Sequence, residues 1–332
     1  MEPNFNDYVA LIYNRFEAFA QATQSVSKIG HPFLYQQRSM IVFFMGMQFK
    51  RISQFKSQWR WLNMHPEMLT VLGWTQLPDR STLSRRYKKL YEVLQDFVQF
   101  LGTNSAPLGE DLKTDHLYED KSLFKAQGPV WHQSDRQAGR IPDKLRHLDT
   151  DATWSKSAYH GWVYGYGLHL TCNQAGFPVL LLVETATFSE KEAVIAKEPT
   201  LLHQFQPKTV CGDDAYTAAK RIRDWTQHGV ILLAPALRWR KGRYAKAYHH
   251  FIKQLDIAPL LRHRKTAIEP VFDLLTKLLG LTGKQKQLTL QCLPNVRTFL
   301  GLAVFSLQIA VIANNIWNLP FRSISLIHGA FA

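Results

Sequence analysis

Apolar residues recur every three or four positions over roughly the first third of the chain, and this spacing predicts helices up to about residue 105. The clearest stripe follows Gly73 and Pro78 and consists of Leu83, Tyr87, Leu90, Leu94, Phe97 and Leu101. The stripe predicts one amphipathic helix, whose start Asp79 or Ser81 is suited to cap. The stretch from Gly102 to Glu110 is rich in turn-forming residues, which predicts a linker after this helix.

Beyond the linker the pattern changes to short apolar runs that are typical of strands. Strands are predicted at residues 117–124, 159–171, 177–185, 209–212 and 230–234. Helices are predicted at residues 189–204, 215–228 and 264–280. Three strands followed by alternating helices and strands predict an α/β domain with a mixed sheet. A last apolar run, Phe299 to Ala313, contains Ser306 and Gln308 and is short for a membrane span, so it predicts a buried helix.

The 332-residue chain carries 40 Lys and Arg against 26 Asp and Glu, a formal net charge of +14. This excess favours a polyanionic partner such as DNA, although a merely basic cytosolic protein is the alternative. Cys172, Cys211 and Cys292 form no C-x-x-C pair or zinc pattern, and so sparse a set fits a reducing cytoplasm. The N-terminal residues lack the basic and apolar regions of a signal peptide. We therefore expect a cytoplasmic protein with no membrane partner.

Three carboxylates in separate, distinctive segments are candidates for metal-assisted chemistry: Asp120 in DKSLF, Asp213 in GDDAY and Glu269 in AIEPVF. Because acids repel at close range, a fold that gathers three of them needs a cation, and paired divalent ions at such sites cut phosphodiesters. Plainer explanations exist: a solvated strand acid for Asp120, a helix cap for Asp213, and a capping box with Thr266 for Glu269. Spacing alone does not exclude other carboxylates as members of the metal site, namely Asp135, Asp143, Asp149, Asp151, Asp214 and Asp273.

A family resemblance separates the three acids from their rivals. The segments GPVWH, HLDTDATWSKSAYHGWVYGYGLHL, VCGDDAYTA, TAIEPVFDLL and NVRTFLGLAVFSLQIA resemble transposases of bacterial insertion sequences of the DDE type, over about residues 77–315. By this likeness Asp120 corresponds to the first acid of the family. Asp213 corresponds to the acid of its D-x-x-Y element, with Tyr216 as the tyrosine. Glu269 corresponds to the glutamate of its I-E-x-x-F element.

The resemblance implies an α/β fold, a ribonuclease H-like mixed sheet with flanking helices, preceded by an all-helical N-terminal DNA-binding region. It implies a helical DNA-binding region with a helix-turn-helix-like segment at residues 1–105. The catalytic domain is expected at residues 106–285, with a basic insertion at 236–263. Residues 286–332 are expected to form a C-terminal helical segment that packs on the catalytic domain.

The resemblance also implies a metal-dependent DNA transposase that holds Mg²⁺, or Mn²⁺, at the three acids. Such an enzyme cuts double-stranded DNA at the terminal inverted repeats of its element and joins the 3′-hydroxyls to target DNA. It is expected to act as a homo-oligomer in a synaptic complex, in bacterial cytoplasm and in association with the nucleoid. The alternatives are a catalytically inactive DNA-binding derivative and a stand-alone metal-dependent nuclease.

Two departures from the family pattern lie beside the acids. Lys121 follows the first acid, where many relatives have Gly or Ser, and Ser122 comes only after it. Lys121 is placed either to reach a phosphate or to weaken metal binding. The family's tyrosine upstream of the glutamate is absent, and Lys265 occupies the position four residues before Glu269.

Two basic segments are candidates for DNA contact. On the predicted amphipathic helix, Arg85, Arg86, Lys88 and Lys89 lie off the apolar stripe, as in the second helix of a helix-turn-helix. Residues 238–253 contain no acid and interleave Trp239, Tyr244 and Tyr248 with cations. Cations neutralise phosphates and aromatic rings stack on bases, so this loop is expected to clamp DNA through Arg238, Arg240, Lys241, Arg243 and Lys246, with Lys265 nearby. A solvated basic surface is the alternative for both segments.

Overall fold

A computed structural model describes residues 2–23, 34–157, 161–216, 218–235, 241–281 and 286–332 of the chain. The N-terminal part consists of helices: α1 (Phe5–Ala22), α2 (Gln37–Phe49), α3 (Phe55–Met64), α4 (Glu67–Leu72), α5 (Arg80–Lys88) and α6 (Leu90–Asn104). The predicted helical character of this part is therefore confirmed for the described residues. A capping box starts α1, because the side chains of Asn4 and Asp7 each accept a hydrogen bond from the other's backbone N–H.

The apolar stripe is buried along its whole length, but it belongs to two helices rather than one. α5 ends at Lys88 and α6 begins at Leu90, so Lys89 interrupts the predicted helix. The stripe continues across the break because both helices pack on the same core, and apolar spacing alone does not reveal such a break. Asp79 occupies the N-cap position of α5 as expected, although its side chain makes no capping hydrogen bond.

A mixed sheet follows the helices, with strands β1 (His116–Lys125), β2 (Thr153–Ser157), β3 (Gly161–Asn173), β4 (Pro178–Thr185), β5 (Thr209–Cys211) and β6 (Ile231–Leu233). β3 pairs antiparallel with β1 and β4, while β5 and β6 lie parallel on the other side of β1. β2 pairs with the first residues of β3. The apolar pattern does not predict β2, because its sequence TWSKS is mostly polar. The structure therefore has the mixed sheet that the resemblance implied.

The remaining helices are α7 (Gln133–Gln137), α8 (Glu190–Thr200), α9 (Ala219–Gln227), α10 (Arg243–Phe251), α11 (Ala258–Leu279), α12 (Leu293–Ile316) and α13 (Ser325–Phe331). α11 begins earlier than the predicted start at residue 264. Pro259 lies in its first turn, where a missing N–H costs no hydrogen bond, and it is the sequence signal for this start. The helix also continues through Pro270, and the Thr266 carbonyl that this proline leaves unpaired lies 3.4 Å from the guanidinium of Arg322.

α12 lies in the centre of the molecule, between the N-terminal helices and the sheet. The side-chain amide of Gln308 donates 2.9 Å hydrogen bonds to the carbonyls of Val98 on α6 and Pro178 on β4. By length and composition α12 is apolar enough to cross a membrane, but 94% of its most apolar window is buried against the rest of the protein. The predicted buried helix at residues 299–313 is therefore confirmed. Because one core spans both parts of the chain, the domain boundaries at residues 105 and 285 stay a prediction.

Candidate active site

The register of two neighbouring strands sets the positions of Asp120 and Asp213. β1 and β5 are parallel, and Tyr118 of β1 is aligned with Cys211 of β5. Asp120 and Asp213 each follow this aligned pair by two residues, so they occupy corresponding positions, Asp120 within β1 and Asp213 directly after the end of β5. Side chains alternate along a strand, so Asp120 faces α11 whereas Lys121 points to the opposite face.

Glu269 approaches the two aspartates from α11. Its neighbours Ala267 and Ile268 are fully buried against the sheet, while Glu269 itself is exposed. Because α11 starts at Ala258, Glu269 lies well inside the helix and the capping-box explanation is wrong. The Thr266 hydroxyl instead donates 2.9 Å to the carbonyl of His263 within the helix.

One open cavity of about 980 Å³ is lined by Asp120, Asp213 and Glu269 together. Two further acids line it, Glu190 at the start of α8 and Asp273 one turn after Glu269. The other charged residues of the lining are Lys121, Lys156 and Lys286. The three acids selected by sequence thus line one cavity, and their carboxylate oxygens are the type of ligand that hard divalent cations take.

Burial and competing charges determine the electrostatics of Asp120. Burial raises the pKa of Asp120 to about 6; the charge of Arg264 opposes this rise, whereas the charges of Asp213 and Glu269 add to it. One carboxylate oxygen accepts a 2.9 Å hydrogen bond from the backbone N–H of Lys121. The other lies 3.1 Å from the guanidinium of Arg264.

Asp213 belongs to a tight turn after β5. Its carboxylate accepts a 2.8 Å hydrogen bond from the backbone N–H of Ala215, within the short 3-10 turn Asp214–Tyr216. The expected role as cap of the following α-helix is wrong, because α9 begins at Ala219 and has Ala218 as its N-cap. Burial raises the pKa of Asp213, and the negative charge of Glu190 adds to the rise. The ring of Tyr216 packs directly on Gly212, where a Cβ atom would lie 2.5 Å from the ring.

Cations near the acids come mainly from residues that sequence reasoning missed. Arg264 on α11 was not singled out, although it lies within the predicted helix at residues 264–280, and its guanidinium is 3.1 Å from Asp120. Lys286 donates a 2.9 Å hydrogen bond to the hydroxyl of Ser122, the second residue after Asp120. Lys121 donates to the carbonyls of Ala186 and Phe188 at 2.9 and 2.6 Å, so its ammonium group is anchored to the loop after β4.

A second group of possible metal ligands, Asp149, Asp151 and Cys292, lies at the start of α12. Here the carboxylates accept backbone hydrogen bonds: Asp149 from Cys292 at 3.2 Å and Asp151 from Leu293 at 2.8 Å. The Tyr166 hydroxyl also donates to Asp149 at 2.8 Å. The helix terminus therefore accounts for this group without a cation.

The predicted DNA contacts on α5 differ in exposure. Arg85, Lys88 and Lys89 are exposed, whereas Arg86 is half-buried and donates a 3.0 Å hydrogen bond to the carbonyl of Tyr35. The predicted roles in DNA contact stay a prediction for the three exposed residues.

The basic stretch at 238–253 includes α10 and is only partly described. Arg238, Trp239 and Arg240 lie outside the described residues. The predicted contacts Lys241, Arg243 and Lys246 are exposed, as is Lys265 on α11. Tyr244 is 72% exposed. Tyr248 is buried instead, and its hydroxyl accepts 2.8 Å from the backbone N–H of Ala234, so the expected stacking of its ring on DNA is wrong.

Comparison with known proteins gives one family match. The model of the family described as "Transposase DDE domain" matches residues 119–285, half of the chain, and this range includes Asp120, Asp213 and Glu269. No curated protein matches the sequence. A chain in the "Crystal structure of a pre-cleavage Mos1 transpososome" is 7% identical, with 96% of this chain and 98% of that chain covered. The TM-score of 0.18 is too low to support any argument from that structure.

Proposed function

Because the chain belongs to the transposase DDE domain family, we propose that it cuts DNA at the ends of a mobile element and joins the freed 3′-hydroxyls to target DNA. The proposal rests on the observation that Asp120, Asp213 and Glu269 line one cavity, although they come from three distant segments of the chain. A cavity of about 980 Å³ that is open to solvent has room for a DNA strand to approach the acids.

The chemistry of the cavity fits Mg²⁺, or Mn²⁺, held by Asp120, Asp213 and Glu269. Carboxylate oxygens are the ligands that these hard cations take, and burial that raises the pKa of both aspartates favours a compensating cation. When bound, two such ions supply activation of a water or 3′-hydroxyl and stabilisation of the leaving oxygen.

The fold of the chain positions the acids and the cations of the cavity. Asp120 lies within β1, and Asp213 directly follows β5, the parallel strand that is hydrogen-bonded to β1. Turn formation at Asp213 and the backbone hydrogen bond to Asp120 orient both carboxylates before any ligand arrives. Lys156, exposed at the rim, and Lys286, on the hydroxyl of Ser122, are placed to neutralise phosphates of DNA in the cavity.

Duplex DNA is the partner that the charge of +14 supports, with the terminal inverted repeats and the target as its two substrates. The exposed cations of α5, α10 and α11 are proposed contacts: Arg85, Lys88, Lys89, Lys241, Arg243, Lys246 and Lys265. Two ends must be held at once for joining, so we propose a homo-oligomeric synaptic complex that acts on the nucleoid in the cytoplasm.

Single substitutions in the cavity test this function. The substrate is a labelled duplex made from the DNA that flanks the gene on both sides, supplied with Mn²⁺ and a target plasmid. We expect Asp120→Asn, Asp213→Asn and Glu269→Gln to lose cleavage while retaining duplex binding in a gel shift. Asp273→Asn is the matched control, since it lies on the same helix and lines the same cavity but is outside the proposed triad.

Each outcome has a separate meaning. Full cleavage by any of the three variants removes that residue from the catalytic set. Cleavage without joining to the plasmid supports a stand-alone nuclease. Duplex binding without cleavage by the wild type supports an inactive DNA-binding derivative.

A further inference from the structure

A surface groove lies between α3 and α5, and it shares no lining residue with the cavity of the three acids. We call it the α3–α5 groove. Its volume is about 690 Å³. It is lined by Phe55, Lys56, Trp59, Arg60, Asp79, Arg80, Ser81 and Ser84.

The two helices that form the groove are strongly basic. Together α3 and α5 contain six Lys or Arg and no Asp or Glu. Lys56, Arg60 and Arg80 are exposed and line the groove. The lining contains one acid, Asp79, which lies before the first turn of α5. Because three cations line the groove with it, the net charge of the groove is positive.

Helical spacing explains why these cations meet. Lys56 and Arg60 are four residues apart on α3 and therefore share one face. Trp59 is half-buried and forms part of the same lining. Arg80 and Ser84 have the same spacing on α5, so both helices direct cations and hydroxyl groups to one surface.

The basic surface continues along α5 beyond the groove. Arg85 and Lys88 are exposed on the following turns. Arg86 is not part of this surface, because its guanidinium donates inwards to the Tyr35 carbonyl. The exposed positive charge therefore extends from α3 and the first turn of α5, at Lys56, Arg60 and Arg80, to Arg85 and Lys88 further along α5.

We propose that the α3–α5 groove binds the sugar-phosphate backbone of double-stranded DNA through Lys56, Arg60 and Arg80. The identity of the polyanion rests on the proposed function, whereas the position of the surface rests on the groove itself. Cations and hydroxyl groups are the side chains that pair with phosphate oxygens. A membrane surface fits less well, since the apolar residues Phe55 and Trp59 are half-buried rather than projecting.

The test measures how duplex affinity depends on salt. The probe is a fluorescein-labelled 30-base-pair duplex of mixed sequence, and its anisotropy is followed from about 50 to 300 mM salt. We expect the triple variant Lys56→Ala/Arg60→Ala/Arg80→Ala to bind at least tenfold more weakly at 100 mM salt. Each lost phosphate contact lowers the slope of log K against log salt by about 1, so the slope should fall by about 3. The control Lys144→Ala/Lys191→Ala/Lys220→Ala removes the same charge from exposed sites elsewhere and should keep the wild-type slope.

An unchanged slope in the groove variant, with a native circular dichroism spectrum, would overturn the proposal. An equal fall in both triple variants would also overturn it, because net charge alone would then explain binding. Tighter wild-type binding to phosphatidylserine vesicles than to the duplex would assign the groove to a membrane instead. If the wild type bound no duplex at all, the proposed function would fail, and this outcome is distinct from failure of the groove.

Discussion

The guanidinium of Arg264 lies 3.1 Å from a carboxylate oxygen of Asp120, so a cation of the chain already faces the acid at the centre of the candidate site. The two residues are 16% and 25% exposed, and the opposed charges are therefore only partly screened by water. The pair stabilises the ionised carboxylate, but the same positive charge repels an incoming divalent ion.

We therefore expect Arg264→Gln to bind Mn²⁺ several-fold more tightly than the wild type at pH 8.5, which is well above the pKa of about 6 of Asp120. Isothermal calorimetry measures the affinity without reference to cleavage. Lys265→Gln is the matched control because it removes an exposed cation from the next position of α11. Weaker binding by Arg264→Gln would show instead that the arginine orients Asp120 for the metal.

The stability of the protein should fall in acid because of His169. This imidazole is almost fully buried, and burial together with the charges of Lys197 and Lys121 lowers its pKa to about 2. A lowered histidine pKa means that the unfolded chain binds the extra proton, so stability is lost as the pH falls below about 6.5. Between pH 6 and 4.5 we expect a loss of roughly 2 kcal/mol in the free energy of unfolding.

Urea unfolding at several pH values measures this effect, with His169→Gln as the comparison that cannot titrate. The variant should show a flatter dependence on pH over this range. Identical pH profiles for the two proteins would contradict the role of His169.

A buried ion pair behind the site should matter more for stability than any surface pair. Lys197 of α8 lies 2.9 Å from Glu119 of β1, and both are buried. The Thr171 hydroxyl accepts a 3.1 Å hydrogen bond from Lys197 and donates to Glu119. Removing one partner leaves a buried charge, so Lys197→Met should reduce the free energy of unfolding by about 3–5 kcal/mol.

The double variant Lys197→Met/Glu119→Leu removes both charges and should recover a large part of that loss. Chemical denaturation of the single and double variants measures the difference. A double variant that is less stable than the single one would contradict this account.

The close contact of Gly212 with Tyr216 predicts a local effect at Asp213. A Cβ atom at position 212 would lie 2.5 Å from the tyrosine ring, which must move and shift the turn that holds Asp213. Gly212→Ala should therefore lower stability by about 1–3 kcal/mol and weaken Mn²⁺ binding. Gly329→Ala is the control, because a methyl group added there would meet no atom within 4 Å. Thermal unfolding and calorimetry check both effects, and wild-type behaviour of Gly212→Ala would refute the contact.

Much of the fold follows from patterns that are local in the chain. Alternation of apolar runs and turn residues predicted β1, β3, β4, β5 and β6 to within a few residues, since burial on a sheet requires such runs. The pattern missed β2, whose residues are mostly polar and which is ordered by pairing with β3. It also missed the break at Lys89, because two helices on one core keep a common apolar stripe.

The sequence by itself determined the kinds of elements, the excess of positive charge and three acids in distinctive segments. Only the tertiary structure decided which groups meet. The parallel register of β1 and β5 brings Asp120 level with Asp213, and the long helix α11 places both Glu269 and Arg264 at the same cavity. Which side chains share a cavity depends on spatial distances between residues that are far apart in the chain. Apolar spacing carries no information about those distances.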